Sequence, residues 1–166
     1  MSQHAVREQL AAQAAVVEKI RQYFAAQGVL SVETASIRPY GITDPSVCNM
    51  RAVDEAGDPA GYLQFSPEFA MKQLISTGSG DIYQICRAYR AGEQGRLHRA
   101  EFRILEWYRT GFNHHQMMDD VEQLLTSLLD KQTWSRQPYA ELFSSIVKFD
   151  PHSASNEQLS ALASQS

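Results

Sequence analysis

Two alternating segments on either side of a polar loop constrain the fold of this chain most strongly. Residues 81–90 read DIYQICRAYR and residues 101–109 read EFRILEWYR, and both are rich in aromatic and β-branched residues with polar residues between them. This composition and a period of two are typical of strands. The loop AGEQGRLHRA, residues 91–100, supplies glycines and polar residues. The sequence therefore predicts a long β-hairpin over residues 81–112.

Glu106 is the unusual residue of this hairpin. Side chains of a strand alternate between its two faces, so Phe102, Glu106 and Tyr108 are predicted to share one face. A carboxylate removed from water needs a cation or hydrogen-bond donors, and the ammonium group of a ligand would provide both. The alternative is a cross-strand ion pair of Glu106 with Arg87 or Arg90, worth about 0.2–1 kcal/mol. From the strand alone, the ion pair is the commoner arrangement.

Helical periodicity and capping signals predict four helices. Apolar residues recur at helical spacing from residue 4 to 27. Residues 66–78 follow with Ser66 as N-cap and a proline at the first helical position. Asn113 and Ser155 are each followed three residues later by glutamine, which is the pattern of a capping box. Each is therefore predicted to begin a helix.

The segment between the first two predicted helices has weaker signals. VLSVET, residues 29–34, alternates like a strand. Residues 35–61 contain three prolines and three glycines, which predict a loop with room for one short strand.

Composition limits the class of protein. The chain has 166 residues, 43% of them hydrophobic, which suits one globular domain. A net charge of −4 argues against a protein that mainly coats nucleic acid. A local group of arginines nevertheless suits the binding of a nucleoside triphosphate. An exposed, solvated rim of the hairpin would explain the same arginines equally well. The group consists of Arg87, Arg90, Arg96, Arg99, Arg103 and Arg109.

Several common functional motifs are missing from the sequence. There is no GxGxxG after a strand and no GxxxxGK[ST], which excludes Rossmann and P-loop nucleotide sites. His114 and His115 are adjacent, and no HExxH spacing supports a metal site, so none is predicted. No apolar run is long enough to cross a bilayer or to form a signal peptide. Cys48 and Cys86 form no CxxC pair. We therefore expect a cytoplasmic protein without membrane contact.

Residues 66–109 carry a specific resemblance. SPEFAMKQLISTGSGDIYQICRAYRAGEQGRLHRAEFRILEWYR resembles the catalytic core of class II lysyl-tRNA synthetases, and most closely their short paralogues, the elongation factor P (R)-β-lysine ligases. GVLSVET resembles the first class-defining motif, and YAELF and FDPHSAS resemble later segments. The resemblance implies an α+β fold containing part of the class II antiparallel sheet with flanking helices. Residues 1–166 would form the N-terminal part of one catalytic domain.

The function implied by this resemblance is an ATP-dependent ligation. Lysine or β-lysine would be activated as an aminoacyl adenylate, with Mg²⁺ on the phosphates, and then transferred to a lysine of elongation factor P. The form LEWYR is typical of the ligases, and the chain enters the catalytic helix almost at once. This leaves no room for an anticodon-binding domain, so tRNA is not expected as a partner.

The resemblance also implies substrate contacts. The substrate-binding residues would be Ser66, Pro67, Glu68, Glu106 and Tyr108. Ser66 and Glu68 would hold the α- or β-amino end, and Glu106 and Tyr108 the side-chain ammonium. Read without the resemblance, Glu68 is explained as well by the helix dipole, worth about 0.3–1 kcal/mol.

A second set of residues would bind the nucleotide. The ATP-binding residues would be Arg90, Ala91, Gly92, His98, Arg99 and Phe102. Arg90, the catalytic residue, would hold the α-phosphate, His98 would meet the outer phosphates and Phe102 would stack on adenine. Arg99 replaces an asparagine that the ligases use near ATP. An exposed loop is the commoner arrangement for Arg90, His98 or Arg99 taken singly.

The sequence departs from the family at two important places. Ala35 replaces the proline that ends the first motif at the dimer interface, which weakens the expectation of a homodimer. The third motif is absent, because the last glycine is Gly111 and only Arg136 follows Arg109 among arginines. We therefore expect the N-terminal half of a ligase, from a split gene or a degenerate paralogue. The alternatives are a non-catalytic remnant that binds nucleotide or a partner chain, and a lysyl-tRNA synthetase fragment.

Overall fold

The computed structural model describes residues 3–92, 95–96, 98–129 and 133–164. The chain divides into two compact units, residues 1–130 and 131–166. The helices are α1 (Gln3–Ala26), α2 (Glu68–Ser76), α3 (His114–Leu128), α4 (Tyr139–Val147) and α5 (Asn156–Ala163). The strands are β1 (Leu30–Ser31), β2 (Ile37–Arg38), β3 (Arg51–Val53), β4 (Pro59–Leu63), β5 (Ile82–Tyr89) and β6 (Glu101–Tyr108).

The predicted hairpin forms the centre of the first unit. Strands β5 and β6 are antiparallel and pair over their whole length, from Ile82 opposite Tyr108 to Tyr89 opposite Glu101. The short strand β1 lies parallel to β5 on its other side, so the order is β1-β5-β6. The returning strand ends at Tyr108 rather than at residue 112. Asp81 accepts hydrogen bonds from the backbone N–H and the hydroxyl of Thr110. Thr110 therefore bonds to this side chain and does not continue the strand pairing.

The core of the first unit lies between this sheet, α1 and α3. Phe24 of α1 is fully buried and stacks on Tyr83 of β5, with ring centroids 4.5 Å apart. Trp107 of β6 lies 5.6 Å from the same ring. Leu124 of α3 completes the buried cluster. These contacts account for the amphipathic pattern of α1, since one stripe of the helix covers one face of the sheet.

Residues 35–61 differ from the prediction of a loop with one short strand. They contain β2, β3 and the start of β4, which form a second sheet in the order β2-β4-β3. The glycines and prolines that suggested a loop lie mostly at turns and strand ends. Pro59 opens β4, a position where a strand tolerates proline. Asp54 accepts hydrogen bonds from the N–H groups of Ala56 and Asp58, and Gly57 has a positive φ in that turn.

The helix predictions hold with small shifts at the ends. The capping boxes of Asn113 with Gln116 and of Ser155 with Gln158 are both present. In the second unit, α4 was not predicted. It has no side-chain cap and follows Pro138, so it lacks the signals that mark the other helices. Aromatic contacts of Phe143 with Tyr139 and Phe149 hold this unit together.

No strand follows β6 among the described residues. In the described part of the chain, no helix combines the length and the hydropathy needed to span a membrane.

Candidate functional site

The register of the hairpin sorts its side chains into two faces. Residues directly opposite each other in an antiparallel ladder point to the same side. Tyr83 and Trp107 form one such pair and pack on α1. The pair Gln84 and Glu106 therefore lies on the other face. Phe102 and Tyr108 share that second face with Glu106, as the alternation of the strand predicts.

Glu106 is held by two hydroxyl groups. Ser66 donates a hydrogen bond from its hydroxyl to Oε2 of Glu106 over 2.8 Å. Tyr108 donates from its hydroxyl to Oε1 over 2.7 Å. Each carboxylate oxygen thus has one donor, while the side chain as a whole is only half-buried. A carboxylate that is oriented in this way and still reachable can receive a cation.

The cross-strand ion pair considered for Glu106 is not formed. Glu106 lies opposite Gln84, so its register neighbour carries no charge. Arg87 instead pairs with Glu101, Nε to Oε1, over 3.5 Å. Within the described ranges, Glu106 makes no ion pair. The hydroxyl donors therefore take the place of an internal cation.

Ser66 connects the start of α2 to β6. Its Oγ accepts the backbone N–H of Glu68 at 3.0 Å while donating to Glu106. The helix begins at Glu68, with Pro67 as the cap residue. The prediction of Ser66 as N-cap is therefore wrong by one residue, because Pro67 is not yet helical. Ser66 nevertheless satisfies a free N–H of the first turn, which is the physical role of a cap.

Glu68 adds a second carboxylate that acts on Tyr108 at this end of the site. Burial, the hydrogen bond to Glu106 and the charges of Glu106 and Glu68 together raise the pKa of Tyr108. Tyr108 therefore remains a protonated donor at neutral pH. Glu68 pairs with Lys72 one turn along the exposed side of α2, over 2.5 Å. The charges of Glu106 and Glu68 thus both favour the protonated form of Tyr108, and this region favours the binding of a positively charged group.

Arg90 and Phe102 lie at the other end of the same face. The Arg90 guanidinium carbon lies 4.9 Å from the centroid of the Phe102 ring, a cation–π contact. Phe102 and Glu106 are four residues apart on β6, which is about 13 Å in a strand. The face therefore has a cationic and aromatic end and an anionic end, separated by the length of a small substrate.

The backbone beyond Arg90 is fixed by two contacts. The N–H of Arg90 donates to the carbonyl of Ala100, and the N–H of Ala91 donates to that of Cys48 at 3.0 Å. Gly92 follows with φ +81°, a conformation that favours glycine. His98 and Arg99 are exposed on the hairpin loop. Residues 93, 94 and 97 of this loop lie outside the described residues.

One residue of this face was missed by sequence reasoning. Gln84 is 2% exposed and lies directly opposite Glu106. Neither of its two amide atoms makes a hydrogen bond to a described residue. The available signal was a polar residue within an otherwise apolar strand, at the position that the hairpin register pairs with Glu106.

The described residues contain no group of three or more histidine, cysteine, aspartate or glutamate side chains that could hold a metal ion.

Comparison with known proteins gives consistent matches. A profile of the family described as tRNA synthetases class II (D, K and N) matches residues 1–157. An elongation factor P–(R)-β-lysine ligase of Pseudoalteromonas translucida is 41% identical over 155 residues, covering 90% of this chain and 48% of the relative. The ligase of the same name from Vibrio vulnificus is 39% identical over 165 residues, covering 95% and 50%. That of Photobacterium profundum is 38% identical over 160 residues, covering 94% and 50%.

The chain spans about half the length of the curated relatives it matches. The profile match nevertheless extends over nearly the whole chain and includes α1, the hairpin, α3 and α4. The chain therefore belongs to the family of class II tRNA synthetases (D, K and N).

Proposed function

We propose that this chain takes part in the ATP-dependent activation of lysine or β-lysine and its transfer to a lysine of elongation factor P. The observation that carries the proposal is the arrangement of one sheet face. Glu106, held by Ser66 and Tyr108, lies on the same face as Phe102 and its partner Arg90. An amine and a nucleotide could therefore bind side by side. The names of the relatives supply the choice of lysine and of elongation factor P.

The anionic end would bind the amino acid. A carboxylate accepts about four hydrogen bonds, and Ser66 and Tyr108 use two of those of Glu106. The side-chain ammonium of lysine would take another, in a charge-assisted hydrogen bond. Glu68, at the start of α2, would hold the α- or β-amino group together with the backbone around Ser66 and Pro67. Neutral amino acids of the same shape would leave Glu106 without a cation and bind less well.

The cationic end would bind ATP. Arg90 would contact the α-phosphate, and the Phe102 ring would stack on adenine. The backbone of Ala91 and Gly92 would line the nucleotide, with His98 and Arg99 toward the outer phosphates. Mg²⁺ would enter the site bound to the ATP phosphates and would neutralise part of their charge. The described residues offer no cluster of carboxylates that could hold it.

The chemistry consists of two substitutions. A carboxylate oxygen of the amino acid attacks the α-phosphorus, the bond to the β-phosphate oxygen breaks and pyrophosphate leaves. The neutral ε-amine of the acceptor lysine then attacks the carbonyl carbon, releasing AMP and a proton. The Arg90 guanidinium would stabilise the negative charge that develops on the α-phosphate. The remaining contribution of the protein is to hold the reacting atoms in position.

We expect lysine-dependent exchange of pyrophosphate into ATP by the purified, folded chain. Arg90→Met should abolish exchange, because the α-phosphate loses its guanidinium, and should leave lysine binding unchanged. Arg21→Met on the exposed side of α1 is the matched control and should leave exchange unchanged. A folded chain that binds lysine without any exchange would favour a non-catalytic remnant, and transfer to tRNA would favour a lysyl-tRNA synthetase fragment.

We also propose that the chain forms a homodimer through α1. The stripe that buries Ile20 and Phe24 continues toward the N-terminus through Leu10 and Val6, which are exposed. Beside it, a groove of about 450 Å³ lies between α1 and the hairpin, with Val17 among its lining residues. Exposed apolar side chains next to such a groove favour an association site here.

Sedimentation equilibrium tests the dimer. We expect the wild-type chain to be dimeric at micromolar concentration and Leu10→Asp to be monomeric, since a charge would be buried in the contact. Ala11→Asp, at an exposed position of the same helix outside this stripe and groove, tests whether an added charge alone has this effect. A wild-type chain that stays monomeric at 100-fold higher concentration would contradict the proposal.

A further inference from the structure

Gln84 is buried beneath the amine end of the site without a good partner. Its side chain is 2% exposed, and neither amide atom makes a hydrogen bond to a described residue. A buried polar group that is left unpaired destabilises a protein, because it has lost its hydrogen bonds to water without replacement. Folded proteins pair nearly all such groups, and the exceptions often have a role in function. Gln84 therefore needs an explanation beyond packing.

The neighbours of Gln84 do not supply that explanation. Burial raises the pKa of the Cys86 thiol, and the amides of Gln84 and Gln64 partly offset the rise, so both amides lie near this sulfur. A thiol is only a weak hydrogen-bond partner. Gln64 already donates from Nε2 to the carbonyl of Arg87 over 2.8 Å. The strong acceptor on this face is the Glu106 carboxylate, directly opposite Gln84 in the ladder.

The distance between Gln84 and Glu106 across the ladder permits a hydrogen bond between their side chains. Opposite residues of an antiparallel pair have Cβ atoms about 4.5–5.5 Å apart. Both side chains are long enough to meet over that distance. In the structure, each carboxylate oxygen of Glu106 accepts one hydrogen bond, from Ser66 or from Tyr108. A lone pair that these two donors do not use can still accept a hydrogen bond from the Gln84 amide.

We infer that Gln84 is a positioning residue for Glu106 and contributes to the recognition of a ligand's ammonium group. When the ammonium draws the carboxylate into its bound position, the amide nitrogen of Gln84 donates to Glu106 and fixes it there. The amide is unpaired in the empty site and paired in the occupied one, so it favours the bound state. This inference rests on the proposed function, because the ligand is the amine of that proposal.

Gln84→Met tests the inference, because methionine keeps the length of the side chain and removes the amide. Without ligand, the variant should unfold at the same or a higher temperature, since a buried unpaired amide is gone. Its affinity for lysine, measured by calorimetry, should fall about tenfold. Its affinity for norleucine, which lacks the ammonium, should not change. Gln123→Met, an exposed glutamine on α3, is the matched control and should behave as wild type.

The outcomes separate this inference from the proposed function. Equal lysine affinity of wild type and Gln84→Met would overturn the inference alone. A lower unfolding temperature with equal losses for lysine and norleucine would also overturn it, because that pattern indicates a packing role. Failure of the wild-type chain to bind lysine would overturn the proposed function and the inference with it.

A measurement on the wild-type chain covers the case in which the variant does not fold. The side-chain amide resonances of Gln84 in an NMR spectrum should shift on addition of lysine and not on addition of norleucine. Resonances that stay in place with saturating lysine would contradict the inference.

Discussion

Replacing Asp120 with alanine is expected to lower the free energy of unfolding of the first unit by about 3 kcal/mol. Asp120 is 3% exposed and lies in the middle of α3, on the side that carries the buried Leu124. Its carboxylate accepts hydrogen bonds from Arg109 Nε at 2.9 Å, from Trp107 Nε1 at 3.1 Å and from the Tyr23 hydroxyl at 2.6 Å. One side chain thus joins α3 to β6 and α1.

The size of the effect follows from what alanine would leave behind. The Arg109 side chain is 6% exposed, and its remaining ion pair is with Asp81, over 3.3 Å. The Tyr23 hydroxyl and the Trp107 N–H would both lose an acceptor. Burial and the hydrogen bond to Asp120 raise the pKa of Tyr23 to about 12, which shows how closely the two groups interact. A buried cation with one partner removed destabilises more than the pair itself stabilises.

Thermal and urea unfolding measure this effect. A loss of about 3 kcal/mol corresponds to a lower midpoint by roughly 10 °C. Asp119→Ala, an exposed acid on the same helix, should change the free energy of unfolding by less than about 0.5 kcal/mol. The double variant Asp120→Ala/Arg109→Met should be less destabilised than the sum of its single variants, because the buried Arg109 charge is no longer present without Asp120. Wild-type stability in Asp120→Ala would contradict the role given to this residue.

Local signals were sufficient for much of the fold. The hairpin could be predicted because the alternation over residues 81–90 and 101–109 acts between neighbours in the chain. The helices that begin after Asn113 and Ser155 were predicted because a capping box is a contact between residues three apart. Such features depend on short sequence distances and are therefore visible without knowledge of the fold.

Features that depend on distant partners were not predicted. The second sheet pairs β2 with β4, whose residues Ile37 and Leu63 are far apart in sequence, and each strand is too short for a clear pattern. Helix α4 lacks a side-chain cap and carries an exposed apolar surface. Asp120 has partners on α1 and β6 that no helical pattern reveals. Tertiary contact, rather than propensity, decides these elements.

The candidate site also combines features that local sequence predicts with features that depend on distant partners. Alternation alone predicted that Phe102, Glu106 and Tyr108 share a face. The hydrogen bond from Ser66 to Glu106 joins residues that are 40 positions apart, and only the fold brings them together. The alternative considered for Glu106, a cross-strand ion pair, does not form because the register sets Gln84, rather than an arginine, opposite Glu106.

Glu106→Gln should nearly abolish lysine binding and leave the fold intact. The substitution keeps the shape of the side chain and removes the charge that would meet the ammonium. Loss of one partner from a buried, hydrogen-bonded charge pair weakens binding by about 2–5 kcal/mol. Glu101→Gln is the matched control on the same strand, because Glu101 is exposed and lies at the other end of β6.

The most direct test is a calorimetric titration of lysine and norleucine into wild type, Glu106→Gln and Glu101→Gln. Lysine affinity should fall by at least about 30-fold in Glu106→Gln. Norleucine affinity should stay the same in all three proteins, and Glu101→Gln should bind lysine as wild type does. If folded Glu106→Gln binds lysine as tightly as wild type, Glu106 is not the receptor of the ammonium group and the proposed site is wrong.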